Sequence, residues 1–125
     1  MLKVSVLGTG GWRMALAISA FNNGCDVTIW SPFREEVEAL KEKRTNEKLL
    51  KGIFLPEEIK ITDDLSTVKG DTITIIATPS TAVREVCEKL SKYDDLGIIV
   101  NVSKGFEKKT LKRLTEVISE VLPTV

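Results

Sequence analysis

The sequence predicts an α/β fold: a doubly wound, mainly parallel sheet with helices on both faces. Three observations lead there. Short β-branched runs alternate with stretches of helical period, the connections between them are short, and the inner runs are apolar on both faces, as strands covered from both sides must be. At 125 residues the chain has the length of one domain, able to bury a core without metals or disulfides. Its 42% hydrophobic and 29% charged residues make a globular composition.

Leu2 to Leu7 is apolar and β-branched and stops at Gly8-Thr9-Gly10-Gly11, a strand followed by a turn. From Trp12 the period becomes helical, with Trp12, Ala15, Leu16, Ile18 and Phe21 in register and Asn22-Asn23-Gly24 as the stop. Asp26 to Trp30 forms a second strand. Ser31-Pro32 is expected to open a second helix, with Ser31 as N-cap, Glu35 and Glu36 near its positive end, and Lys41, Lys43 and Arg44 near its negative end. Thr45 to Pro56 lacks a period and reads as a loop, followed by a short strand near Ile59-Lys60-Ile61. Asp64 to Lys69 is a brief helical turn, and Thr72 to Ala77 is a central strand expected to be buried on both faces. Val83, Val86, Cys87 and Leu90 mark a further helix, with Ser80 a candidate N-cap, and Ile98 to Val102 a further buried strand. A last helix runs from about Thr110 to Leu122, presenting Leu111, Leu114, Val117, Ile118 and Val121 on one face.

Composition narrows the chemistry. The 18 basic and 18 acidic residues cancel, so no net field draws the chain to nucleic acid or an anionic membrane, and no nucleic-acid partner is expected. No apolar run approaches the roughly 18 residues of a span, so no membrane insertion is expected. The sequence contains no histidine. That removes His-based acid/base chemistry, Ser-His and Cys-His nucleophiles, and the commonest metal ligand. Asp63-Asp64 and Asp94-Asp95 read as turn and cap residues, and no metal site is expected. Cys25 and Cys87 form neither a C-x-x-C nor a zinc spacing and read as core or half-buried thiols of a reducing compartment. No signal peptide is visible ahead of the first strand pattern, and none is expected; the expected location is cytoplasmic.

Gly8-Thr9-Gly10-Gly11-Trp12-Arg13 is the sharpest motif, because it follows a strand and opens a helix. Gly8 permits the tight turn, and Gly10 lets main-chain N–H groups approach a pyrophosphate at the positive end of the helix. Arg13 stands where a small residue normally allows close helix–strand packing. Either the helix tilts off the sheet or the long side chain leaves through the mouth of the cleft. At the end of the second strand, Trp30-Ser31-Pro32-Phe33-Arg34 carries no carboxylate before Glu35. Ser31 and Arg34 could take a 2′-phosphate and Phe33 or Trp30 could flank adenine, which leans toward NADP or toward tolerance of both dinucleotides. The residues alone also suit another dehydrogenase of this architecture, or a non-catalytic nucleotide-binding or regulatory module.

With these segments in place, the chain resembles the N-terminal domain of NAD(P)-dependent glycerol-3-phosphate dehydrogenase. Gly8-x-Gly10-x-Trp12-x-x-Ala15-Leu16-Ala17 looks like the family's G-x-G-x-W-G-x-A-L-A, with Arg13 in place of glycine. Asn46-x-x-Leu49-Leu50 followed by Leu55-Pro56 is similar to N-x-x-Y-L-P and its later L-P, with Leu49 and Lys51 replacing the tyrosine and first proline. Ala77-Thr78-Pro79-Ser80 with Arg84 is similar to A-V-P-S-x-x-x-R, and Ser103-Lys104-Gly105-Phe106-Glu107 with Thr110 to the family's S-K-G-x-E-x-x-T.

The resemblance implies a Rossmann-type domain over residues 1–125 and a helical substrate domain outside it. It implies an enzyme interconverting sn-glycerol 3-phosphate and dihydroxyacetone phosphate with NAD or NADP, supplying glycerophospholipid metabolism, with a possible homodimer in the full-length enzyme. It implies cofactor contacts from Gly8, Gly10, Gly11, Trp12, Phe33, Arg34, Pro79 and Lys104, with Lys104 also facing substrate. The family's general base is a lysine of the following domain, so no catalytic residue is expected within this chain, and the isolated domain is expected to be inactive. Lys104 also makes chemical sense by itself. It follows a parallel strand, at the carboxyl edge where such sheets bind ligands, and an ammonium there can attract a phosphate or stabilise charge on a carbonyl oxygen.

Overall fold

The computed structural model describes residues 2–8, 11–44, 54–93, 96–103 and 113–122, the side chains of residues 11–13, 80 and 115 apart. Five strands, β1 (Lys3–Leu7), β2 (Asp26–Trp30), β3 (Lys60–Thr62), β4 (Ile73–Ile76) and β5 (Ile98–Asn101), form one sheet in the order β3-β2-β1-β4-β5. Every pairing is parallel. The α-helices are α1 (Gly11–Asn22), α2 (Arg34–Lys43), α3 (Val83–Leu90) and α4 (Leu114–Val121).

The period-2 alternation of the strands divides the core into two layers. Val4, Val6, Val27 and Ile29 pack with Met14 and Ala17 of α1 and Val37 and Leu40 of α2. Leu7, Trp30 and Ile76 face the opposite way, against Val83, Val86, Cys87 and Leu90 of α3 and Leu114, Val117 and Ile118 of α4. The sheet order reverses between β1 and β4, so the helices before and after that point cover opposite faces.

Several expectations need correction. The fully buried stripe of α1 runs through Met14 and Ala17, while Ala15, Leu16, Ile18 and Phe21 are half-buried. Ser31 is not the N-cap of α2, because that position falls to Phe33, whose side chain makes no capping bond. The Ser31 hydroxyl instead accepts from the Phe33 N–H at 3.1 Å and donates to Glu36 Oε2 at 2.8 Å. Ser80 does not cap α3 either. It starts a 3-10 turn, Ser80–Ala82, and Ala82 holds the cap position. β4 is fully buried only on the α3 side, through Thr74 and Ile76, while Ile73 and Ile75 are half-buried against the α1–α2 layer, and β5 leaves Ile98 63% and Val100 37% exposed. An apolar run signals a strand but not how many neighbours cover it.

A second polar group lies at the amino edge of the sheet. The Lys3 ammonium donates to the carbonyls of Thr67 and Lys69, both at 2.8 Å, and stands 3.6 Å from Asp71 Oδ1. The Asp71 side chain is fully shielded and accepts from Thr74 Oγ1 at 3.1 Å. Burial pushes the Asp71 carboxyl above its ordinary value, against the pull of the Ser5 and Thr74 hydroxyls and the Lys3 ammonium. Gly97 meets this corner closely, since a Cβ there would lie 2.4 Å from the carbonyl oxygens of Asp71 and Thr72.

Candidate functional site

The carboxyl ends of β1, β2, β4 and β5 lie along one edge, and the sheet order reverses there between β1 and β4, the place where open parallel sheets bind ligands. Gly8 follows β1 with φ 139°, a backbone region that disfavours a side chain, and its N–H donates to the Trp30 carbonyl at 2.7 Å. This turn delivers the chain to the start of α1 at Gly11, so the first helical turn, whose N–H groups have no partner within the helix, begins at this edge. Thr9 and Gly10 lie outside the described residues, as do the side chains of Trp12 and Arg13. The backbone does answer one question about Arg13: α1 lies down on the sheet, with Met14 and Ala17 fully buried, and is not tilted away.

At the end of β2 the Ser31 N–H continues the ladder to the Thr62 carbonyl at 3.1 Å. Phe33 projects at 62% exposure, available to flank a flat ring. Trp30 cannot share that task. It is 2% exposed in the α3 layer, and its Nε1–H donates to the Asp63 carbonyl at 3.1 Å. Arg34, the first residue of α2, is largely exposed, yet it stands 3.4 Å from Asp63 Oδ2 and 3.6 Å from Glu38 Oε1. The linear reading missed Asp63, which reaches this place because Trp30 pairs with Thr62 in the β2–β3 register. A β3 partner for β2 was the only available signal.

Two loops close the other side. The Ala77 N–H donates to the Leu7 carbonyl at 3.1 Å, extending β4 toward the glycine turn. Pro79 is exposed, and its carbonyl accepts from the Ala82 N–H at 2.8 Å. Ser103, after β5, donates through Oγ to the Thr78 carbonyl at 2.5 Å, while its own N–H is held by Asn101 Oδ1 at 3.0 Å. Lys104 is the next residue and lies outside the described residues. Thr78 Oγ1 is buried at this edge and makes no hydrogen bond among the described residues, an orphaned polar atom of the kind that binding sites leave. Arg84 has a structural contact, joining α3 to Glu120 of α4 at 3.4 Å. Among the described residues no helix is long and apolar enough to cross a membrane.

A glycine turn onto a helix N-terminus, at the switch point of a parallel doubly wound sheet, defines the class: a Rossmann-type dinucleotide-binding domain. Residues 3–125 match the family model described as NAD-dependent glycerol-3-phosphate dehydrogenase N-terminus, and the chain belongs to that family. It is 48% identical over 124 residues to a glycerol-3-phosphate dehydrogenase [NAD(P)+] of Fusobacterium nucleatum, covering 98% of this chain and 37% of that protein. A Thermoanaerobacter protein of the same name is 44% identical over 123 residues, 97% of this chain and 37% of that protein. The crystal structure of glycerol-3-phosphate dehydrogenase from Coxiella burnetii superposes with a TM-score of 0.89 at 29% identity, covering 99% of this chain and 38% of that one. The chain thus spans little more than a third of the length of the relatives it matches.

Proposed function

We propose that this chain is the dinucleotide-binding part of an NAD(P)-dependent glycerol-3-phosphate dehydrogenase. The observation that carries the reading is the reversal of strand order at the carboxyl edge of the sheet, with Gly8 at φ 139° feeding the chain into the start of α1 there. The orphaned Thr78 Oγ1 beside it fits a site built for a polar ligand.

A bound nicotinamide dinucleotide would supply the hydride exchange that interconverts sn-glycerol 3-phosphate and dihydroxyacetone phosphate. The chain's own residues bind and orient. Gly8, Gly10, Gly11 and Trp12 form the stretch that receives the pyrophosphate, where glycine backbone lets N–H groups approach and the helix end favours negative charge. Phe33 and Arg34 serve the adenosine end, and Pro79 shapes the rim beside the nicotinamide end. Lys104, directly after the tethered Ser103, is assigned to the substrate phosphate or carbonyl oxygen, where a fixed cation favours the charge that develops there. We assign residues 1–125 to the cofactor domain, and the helical substrate domain, the general base and the homodimer contacts to the part of the family outside this span. The reading places the enzyme in the cytoplasm, in keeping with two free cysteines.

Calorimetric titration of the 125-residue chain with NAD and NADP tests this. Saturable binding of at least one dinucleotide, without turnover of sn-glycerol 3-phosphate by this chain alone, is expected. Absence of binding to both up to millimolar concentration overturns it.

A further inference from the structure

The groups that suit a 2′-phosphate at the end of β2 are already held by carboxylates. Ser31 Oγ donates to Glu36 Oε2 at 2.8 Å. Arg34 lies 3.4 Å from Asp63 and 3.6 Å from Glu38, so two negative groups share one guanidinium. Asp63 is also fixed from beneath. Its main chain accepts from the buried Trp30 indole at 3.1 Å, and its neighbour Thr62 is paired with Trp30 across the β2–β3 ladder.

We propose that Asp63 sets the choice of cofactor, favouring NAD over NADP by occupying Arg34 and lining the adenosine end with negative charge. The inference rests on the dinucleotide reading above and deepens it. A ribose 2′-hydroxyl can donate to a carboxylate. A 2′-phosphate carries a charge of about −1.5 to −2 at neutral pH and only acceptor oxygens, so it must displace Asp63 from Arg34 and then sit beside it. The pairs are exposed, and exposed pairs are individually weak, so the preference for NAD is about tenfold and not thousands.

Titration calorimetry with NAD and NADP on the native chain, Asp63→Asn, and Asp63→Asn combined with Arg34→Gln provides the test. The native chain is expected to bind NAD about tenfold more tightly than NADP, with the gap narrowing as salt is raised. Asp63→Asn is expected to tighten NADP about fivefold relative to NAD, because Arg34 is released and the carboxylate beside the 2′ position is lost. The double variant is expected to lose that gain. The Trp30–Asp63 contact uses the main chain, so Asp63→Asn keeps it, and matching urea unfolding curves confirm an intact fold. NADP binding as tight as NAD in the native chain, or no change in the NADP/NAD ratio in Asp63→Asn, overturns the inference while leaving dinucleotide binding standing. Binding of neither dinucleotide overturns the dinucleotide reading, and this inference with it.

Discussion

Ser103 Oγ lies 2.5 Å from the carbonyl oxygen of Thr78, fastening the loop after β5 to the loop after β4. That bond, with Asn101 Oδ1 accepting from the Ser103 N–H, fixes the residue directly before Lys104 in sequence. Ser103→Ala is expected to cost about 1 kcal/mol of stability, the usual worth of one hydrogen bond, and to weaken dinucleotide binding several-fold. Ser103→Thr, which keeps the hydroxyl, is expected to stay close to native. Urea unfolding and calorimetry on the same samples check both.

Asp71 predicts an inverted pH response. Its native carboxyl titrates above its unfolded value because it is buried. The folded state therefore takes up the proton first as pH falls, so this group adds stability between neutral pH and the ordinary carboxylate range, and the gain levels off once both states are protonated. Asp71→Asn is expected to remove that slope, seen as the difference between native and variant unfolding free energies across pH. Lys3→Met strips the carboxylate of its cation and is expected to cost about 2 kcal/mol at neutral pH, less than a fully buried pair because Lys3 keeps water contact.

Two glycines separate packing from backbone preference. Gly97→Ala drives a methyl into the Asp71 and Thr72 carbonyls, which belong to backbone that cannot swing aside, and is expected to cost about 3 kcal/mol. Gly24, at φ 85° with open space around it, is expected to lose only about 1 kcal/mol on substitution by alanine. Chemical denaturation of the two variants ranks them.

The two thiols are expected to differ in reactivity. Burial pushes Cys87 up to about 11, with Arg84 pulling the other way, so little thiolate forms at mildly alkaline pH. Cys25 is half-buried. Iodoacetamide labelling followed by peptide mass spectrometry is expected to modify Cys25 well before Cys87 in the folded chain, and both at similar rates in urea.

Much of the architecture is legible in the residues. Asp26–Trp30 matches its strand end to end, because alternation from Val27 onward is bounded by Gly24 and Pro32. Asp64 caps its 3-10 turn as the sequence suggests, accepting from the Ser66 N–H at 2.9 Å. What escapes is pairwise and long-range. Nothing local to Ser31 says that its hydroxyl goes to Glu36, and nothing local to Arg34 or Lys3 points to Asp63 or Asp71. Ser31–Glu36 spans only five residues, but the other two partners follow only from which strands lie side by side, and that is fixed by the crossover and not by any one segment. The coverage of β5 escapes for the same reason.

The Lys3–Asp71 pair lies at the amino edge of the sheet, at the starts of β1 and β4, and the Ser103–Thr78 tether lies at the carboxyl edge, just past the ends of β5 and β4. The corner that shields a charge and the edge assigned to the dinucleotide thus stand a strand's length apart along β4. Screened by melting and by titration in parallel, Asp71→Asn is expected to move the melt and leave titration unchanged, while Ser103→Ala is expected to move both.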